Sequence, residues 1–275
     1  MNINILKKIN LSKQILCFFV IIFLVTFLKI KVHAHELWLE PINFNFNNKE
    51  LFKTNINIGQ DFMGSPFGFY SPNKKSLYLE NRSKIRKLSP RDGDFPAIQV
   101  LILEQGFHIL NYETNNEFLK YDSVGKFEDF IKEQGLQNTI DKFDRNKIPT
   151  ENYRRFAKAL ITDGNKGFFI QKPKLGFEII ALNTPYKSKN SFFEFQLFEK
   201  KKTLRNWQIT IFSKDESNTD KEKIKTNSNG VGKIKTIENR TYLISAVKLN
   251  KANYFQKIKF KSDWLSLWAS LVIQK

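Results

Sequence analysis

Short stretches of alternating apolar and polar residues dominate the chain from residue 35 to about residue 121. They cover residues 37–39, 42–46, 51–58, 77–79, 98–103 and 107–112. Period-two alternation bounded by Gly, Pro, Asn and Asp is typical of β-strands that bury one face. Residues 59–73 and 89–96 are rich in Gly and Pro and are predicted to be loops. We therefore predict an N-terminal β domain over residues 35–123.

The apolar spacing changes to a helical period near residue 124. Phe127, Phe130 and Ile131 share one helical face, and Gly135 is placed to end this helix. A second helical stripe is formed by Leu136, Ile140 and Phe143. A third helix is predicted to start at Thr150, and its buried face would hold Tyr153, Phe156, Ala157, Leu160 and Ile161. Residues 124–163 are therefore interpreted as a helical segment.

Strand patterns return after Gly164. The seven candidates are residues 178–183, 192–198, 207–212, 223–226, 232–237, 241–248 and 264–273. Asn229-Gly230 is a hairpin-turn dipeptide between two of them. In the last strand Trp264 and Trp268 share one face, which we expect to cover the junction with the first domain. Seven short strands over residues 164–275 favour a Greek-key sandwich of the immunoglobulin-like or transthyretin-like kind.

The predicted fold class is therefore mainly β with a short helical segment. Two antiparallel β-sandwich domains, residues 35–123 and 164–275, would be joined by the helices of residues 124–163. About 240 residues are enough for two such cores.

The first 34 residues have the order of a secretory signal. Lys7, Lys8 and Lys13 precede an apolar run over residues 15–28, and residues 32–34 (VHA) offer a cleavage site before His35. The alternative is an uncleaved anchor, but fourteen residues span only about 21 Å of a ~30 Å hydrocarbon core. We predict a periplasmic or secreted protein with no stable membrane span after cleavage.

The charge balance is strongly basic, at a formal +18. The predicted signal holds five of the 45 basic residues and none of the 27 acidic ones, which leaves +13 on the rest. Such a charge attracts anionic partners, but nucleic acid is seldom met by an exported protein, and we predict none. The lysines are interpreted mainly as a solvated surface. Cys17, the only cysteine, lies in the signal, which excludes disulfides and thiolate metal sites after cleavage.

Five ordered segments carry a resemblance to a known family. They are residues 35–41 (HELWLEP), 126–136 (KFEDFIKEQGL), 153–160 (YRRFAKAL), 177–183 (FEIIALN) and 263–271 (DWLSLWASL). Together they resemble exported bacterial proteins of unknown function that are often described as periplasmic components of nickel or cobalt uptake systems. The resemblance implies a metal-handling accessory whose partner is an inner-membrane metal transporter. At Lys248 this chain departs from the histidine that relatives commonly carry there.

Two histidines, His35 and His108, remain after the predicted cleavage. As the first residue, His35 would chelate a divalent transition metal through its α-amine and a ring nitrogen, since the amine loses its proton at small cost near neutral pH. Nitrogen donors favour Ni(II) and Cu(II) over Co(II). His108 or a carboxylate, Glu36 or Asp61, would be the third ligand. The alternative for His108 is a hydrogen-bonded structural residue within a strand.

Signatures of catalysis are missing from the sequence. It has no Gly-x-Ser-x-Gly elbow, no His-Glu-x-x-His and no phosphate-binding Gly-rich loop, so we predict that the protein is not an enzyme. A copper oxidase built on His35 and His108 stays as a minor alternative. The main alternative to metal handling is a non-catalytic β-sandwich module that binds a protein, a polyanion or a membrane surface.

Overall fold

The largest element of the fold is a nine-stranded sheet. The computed structural model describes residues 35–47, 50–137, 143–164, 167–186 and 191–275. The order across the sheet is β14 (Thr219–Lys225), β13 (Gln208–Lys214), β16 (Thr241–Lys251), β17 (Trp264–Gln274), β9 (Thr150–Thr162), β7 (Phe107–Thr114), β4 (Lys74–Glu80) and β5 (Ile85–Lys87), and β8 (Glu117–Lys120) pairs with β9. All of its pairings are antiparallel except that of β17 with β9.

Two smaller sheets of four strands each accompany it. One contains β1 (Glu36–Pro41), β2 (Leu51–Gln60), β3 (Met63–Phe67) and β6 (Ile98–Leu101). The other contains β10 (Phe177–Ala181), β11 (Phe192–Glu199), β12 (Lys202–Thr203) and β15 (Val231–Lys235). Strands make up 51% of the described residues and helices 9%. The predicted mainly β class is therefore confirmed.

The two small sheets cover opposite faces of the large one. Phe156 and Leu160 of β9 pack into a core with β10 and β11. Ala157 and Ile161, the alternate residues of the same strand, pack into a second core with β1 and β2. Successive side chains of a strand point to opposite faces, so β9 is buried on both sides. The arrangement is sandwich-like, with three layers around β9.

The described residues contain two α-helices, α1 (Val124–Glu133) and α2 (Tyr254–Phe260), and a 3₁₀ turn at Ser71–Asn73. α1 lies where the sequence predicts a helix. It begins after Ser123, whose side chain accepts a hydrogen bond from the backbone N–H of Lys126. Its ring Phe130 stacks on Trp268 of β17 at 5.6 Å. The tryptophan face of the last strand therefore covers this helix.

The prediction of a third helix starting at Thr150 is wrong, because Thr150–Thr162 is a 13-residue strand. A strand buried on both faces has no polar side that would reveal period two. Its apolar residues then match a helical stripe by coincidence. Residues 138–142 of the second predicted helical stripe lie outside the described residues, as does the predicted signal, residues 1–34.

The predicted two-domain arrangement with a helical linker is not confirmed. The nine-stranded sheet takes β4, β5, β7 and β8 from the first predicted domain and β13, β14, β16 and β17 from the second. Three local predictions are corrected as well. Residues 42–46 form no strand, Met63–Phe67 is a strand inside a predicted loop, and Asn229-Gly230 joins strands of two different sheets rather than a hairpin.

Candidate functional site

The first strand presents a row of polar and aromatic side chains on one face: Glu36, Trp38 and Glu40. The alternate residue Leu37 points into the core shared with β2. Glu40 accepts hydrogen bonds from Trp38 Nε1 at 2.8 Å and from Lys214 Nζ of β13 at 2.5 Å. The row therefore faces the β13–β14 side of the large sheet.

Glu36 is the most perturbed member of this row. It is 7% exposed, and burial raises its pKa to about 7, because the charged carboxylate loses its hydration. The negative charges of Glu133 and Asp61 raise this pKa further, and the positive charge of Lys221 opposes them. The carboxyl of Glu36 therefore changes its charge near neutral pH.

Three elements that are distant in sequence meet beside Glu36. Asp61 lies in the turn after β2, Glu133 ends α1, and Lys221 lies in β14. Lys221 Nζ donates to Asp61 Oδ1 at 2.7 Å and to Glu133 Oε1 at 2.5 Å. Burial alone would lower the pKa of Lys221, but these two hydrogen bonds raise it. We call Glu36, Asp61, Glu133 and Lys221 the edge cluster.

A second lysine adjoins the edge cluster. Lys223 Nζ donates to the backbone carbonyl oxygen of Glu133 at 2.7 Å, and Gln208 Nε2 donates to the same oxygen at 3.1 Å. Both satisfy a carbonyl at the C-terminal end of α1, where cations are stabilising. Carboxylates therefore outnumber ammonium groups here by three to two, in a chain with a strong excess of lysine.

His35 directly precedes the first strand and is half-buried. Its carbonyl oxygen accepts a hydrogen bond from Arg155 Nε at 3.2 Å. Arg155 is only 4% exposed, and it also pairs with Glu117 at 3.1 Å and lies 4.4 Å from the centre of the Tyr153 ring. A buried, multiply held cation therefore fixes where residue 35 lies.

His108 lies in the middle of the fold. It is 1% exposed, with Nδ1 at 3.3 Å from the carbonyl oxygen of Gly106 and Nε2 at 3.4 Å from Asn81 Nδ2. The ring of Phe46 approaches it edge-on at 5.3 Å. Burial lowers the pKa of His108, so its imidazole is neutral at neutral pH. This is the setting of a hydrogen-bonded structural residue.

The structure does not bring His35 and His108 together. His108 pairs with Ile161 across β7 and β9, whereas His35 contacts Arg155. These two β9 residues are six positions apart, which corresponds to about 20 Å along an extended strand. His108 is therefore not a third ligand to a metal held by His35, and the two-histidine centre of a copper oxidase is not assembled.

The residues near His35 offer few ligands to a metal ion besides His35 itself. Within the described ranges no three His, Asp or Glu side chains are grouped so as to hold an ion by themselves. Lys221 lies between two of the carboxylates, where a divalent cation would otherwise be attracted. The fit is therefore limited to chelation by the α-amine and imidazole of His35, with the edge cluster as a nearby source of negative charge.

A second charged cluster lies in the core, and sequence reasoning missed it. Lys158 Nζ donates to Glu178 Oε2 at 2.5 Å and to Gln171 Oε1 at 2.6 Å. Gln171 Nε2 donates to Glu80 Oε2 at 2.5 Å, and Lys174 Nζ pairs with the other oxygen of Glu80. We call these five residues the core cluster. The signal that could have revealed it is Lys158, a charged residue inside the apolar run of residues 156–161.

The position of Lys248, where the resemblance expects a histidine, is used for another purpose. Lys248 Nζ pairs with Glu199, and it lies 5.9 Å from the centre of the Trp207 ring. An ion pair that holds β16 to β11 therefore occupies this position.

No helix in the described part of the chain is both long and apolar enough to cross a lipid bilayer. The two α-helices have ten and seven residues.

Comparison with known proteins identifies the family but no activity. No curated protein matches the chain. A family model described as a domain of unknown function, DUF4198, matches residues 32–248, from the residues before β1 into β16. Since the match covers well over half of the sequence, the chain belongs to the DUF4198 family.

Proposed function

We propose that this protein is an exported accessory of metal uptake that captures Ni(II), Co(II) or Cu(II) at its processed N-terminus and passes the ion to an inner-membrane transporter. The cargo would be held by the α-amine and imidazole of His35. This requires cleavage between Ala34 and His35, because an amide nitrogen in place of the free amine is a far weaker donor at neutral pH.

One observation carries the proposal: the carboxyl groups of Asp61 and Glu133 gather around that of Glu36, the residue that directly follows His35. Glu36, Asp61 and Glu133 come from three separate elements. Lys221 and Lys223 balance two of these carboxylates, and the carboxyl of Glu36, whose pKa is about 7, adds an unbalanced negative charge as the pH rises through neutrality. Such a site raises the local concentration of cations and favours their approach. The imidazole and amine then select among cations, since nitrogen donors prefer Ni(II), Co(II) and Cu(II) to Mg(II) or Ca(II).

The buried cation beneath residue 35 supports the same function. Arg155 holds the carbonyl of His35 at 3.2 Å, so the backbone next to the chelate is ordered before an ion arrives. A preordered site loses less conformational entropy on binding. Only two protein nitrogens would hold the ion, so ligands of a transporter would remove it by competition.

The experiment is calorimetric titration of the processed chain with Ni(II), Co(II) and Cu(II), alongside His35→Ala and His108→Ala variants. The proposal expects one site per chain, its loss in His35→Ala, and unchanged affinity in His108→Ala. A site that survives His35→Ala would overturn the assignment. Absence of any site at micromolar metal would overturn the function.

The alternative, a non-catalytic interaction module, is favoured by a different observation. Helix α2 exposes three large apolar side chains, Tyr254, Phe255 and Ile258, among lysines. None of these residues belongs to the proposed metal site.

A further inference from the structure

Helix α2, in the connection between β16 and β17, has its apolar side turned outward. None of its seven residues is buried. Tyr254 is 73% exposed, Phe255 79% and Ile258 61%. Large apolar side chains that are exposed side by side lose the free energy that burial would provide. A helix with this exposure therefore points to a contact that the isolated chain does not make.

The arrangement of residues around α2 is amphipathic. At 100° per residue, Tyr254, Ile258 and Phe255 fall within one arc of about 100°. Gln256 and Phe260 fall on the opposite side, and they are the two less exposed residues of the helix. The helix therefore rests on the protein through Gln256 and Phe260 and presents the arc of Tyr254, Phe255 and Ile258 to the surroundings.

Lysines border the apolar arc on both sides. By the same helical angles, Lys257 and Lys261 lie next to Tyr254, and Lys259 lies beyond Phe255. Between residues 251 and 263 there are four lysines and one acid, Asp263. That acid already pairs with Lys147 at 2.9 Å and with Lys257 at 3.5 Å.

The helix is preformed rather than dependent on a partner for its fold. A capping box links Asn253 and Gln256, whose side chains bond reciprocally to each other's backbone N–H. Lys261 adopts the left-handed conformation, φ 51°, that ends a helix. The paired strands on either side close the loop through Ala252 N–H and the carbonyl oxygen of Asp263 at 2.8 Å.

The composition of this surface separates a lipid partner from a protein partner. Lysine is depleted in protein–protein interfaces. At an anionic lipid surface, by contrast, each lysine strengthens binding about fivefold. Tyr and Phe are suited to the boundary between headgroups and acyl chains, where an amphipathic helix buries its apolar face.

We propose that α2 docks the protein onto an anionic lipid surface, with Tyr254, Phe255 and Ile258 inserted between headgroups and the bordering lysines placed on lipid phosphates. This gives the interaction-module alternative a surface and a ligand class. It is independent of the metal proposal, because α2 contains none of the residues that would hold a cation.

The test is co-sedimentation with vesicles of phosphatidylcholine alone or with about one third phosphatidylglycerol. Residues 34–275 form a compact unit by themselves, so the chain starting at His35 is suitable, and EDTA keeps metal out of the assay. Binding to the anionic vesicles should weaken about tenfold or more in Phe255→Ser/Ile258→Ser, by the loss of buried apolar area. Lys257→Gln/Lys259→Gln should weaken it by about thirtyfold, and added salt should weaken it further.

A matched control uses the opposite end of β16. Ile237 is 55% exposed and lies before Thr241, the first residue of β16. Thr241 is ten strand residues, or about 33 Å, from Lys251 at the other end of β16. Ile237→Ser and Lys235→Gln should leave vesicle binding unchanged. All the altered side chains are exposed, so circular dichroism should report unchanged folds.

Three results would overturn the proposal. The first is no binding to anionic vesicles, which would leave a protein partner for α2. The second is binding that survives the apolar double substitution, which would mean adsorption by net charge alone. The third is that Ile237→Ser weakens vesicle binding as much as Phe255→Ser/Ile258→Ser does. Failure of metal binding in a separate titration would leave this inference intact.

Discussion

The core cluster and the edge cluster are built from the same residue types, lysine and carboxylate side chains, but they differ in their charge balance. In the core, Lys158 and Lys174 face Glu80 and Glu178, two charges against two, and Gln171 bonds to both halves. At the edge, three carboxylates face two lysines, and one of those lysines bonds to a backbone carbonyl. The core cluster balances its charges inside the fold, whereas the edge cluster has one carboxyl group more than its lysines balance, and this excess is what the proposed function assigns to cation attraction.

The largest effect is expected from opening the core cluster. Lys158→Met keeps the length of the side chain but leaves Glu178, which is fully buried, without its cation. Breaking a buried ion pair from one side costs about 3–5 kcal/mol. The free energy of unfolding, measured by urea denaturation, should fall by that amount.

A double substitution distinguishes pairing from packing in the same cluster. Lys158→Met/Glu178→Gln removes both charges while keeping the side-chain oxygen that accepts hydrogen bonds from the backbone N–H groups of Lys174 and Leu175. It should regain most of the lost stability. If it is as unstable as Lys158→Met alone, the ion pair is not what the site requires.

The next largest effect concerns the pH dependence that Glu36 imposes on the metal-free protein. Its folded-state pKa is raised to about 7 from 4.5, so the folded state binds the proton more tightly than the unfolded state. Stability from this site is therefore complete below about pH 4.5 and is lost as pH rises to about 7, by about 3 kcal/mol. Glu36→Gln should be more stable than the natural chain at pH 8 and equal to it at pH 4.

Urea denaturation at several pH values in EDTA measures this difference. Glu222→Gln, a change at an exposed glutamate of β14, is the matched control and should leave the profile unaltered. A Glu36→Gln variant whose stability follows the same pH curve as the natural chain would contradict the account of this carboxyl.

A smaller effect is expected from the lysine of the edge cluster. Lys221→Gln removes the positive charge between Asp61 and Glu133, so the site becomes more negative. One charge about 4 Å away is worth about 1 kcal/mol when water fully screens it, and with this smallest value the affinity for Ni(II) should rise about fivefold. Calorimetry measures this, with Lys235→Gln as a control of equal charge change. Weaker binding in Lys221→Gln would show that the carboxylates do not assist the cation.

Sequence reasoning found the elements whose pattern has one exposed face. β2 and β11 were predicted from local alternation, and α1 from its apolar spacing. β9 was misread because the two small sheets, with β10 and β11 on one side and β1 and β2 on the other, bury both of its faces, which no local pattern reveals. α2 was missed because its apolar arc faces outward. The Asn253 and Gln256 capping pair was the signal for it.

The candidate site was predictable only in its local part. His35, Glu36 and Asp61 were named from the position of one predicted cleavage and from short-range neighbours. Glu133 and Lys221 come from a helix end and a strand far along the chain, so only the folded structure places them beside Glu36. His108 was grouped with His35 because both are histidines, and the register of β7 with β9 separates them.

The most direct test of metal capture blocks the α-amine without touching any side chain. Two proteins would be titrated with Ni(II): the chain that begins at His35 and the same chain with its α-amine acetylated. The account predicts micromolar or tighter binding by the first and at least tenfold weaker binding by the second, because the imidazole stays and the adjacent amine is lost. Equal affinity of the two proteins would contradict it.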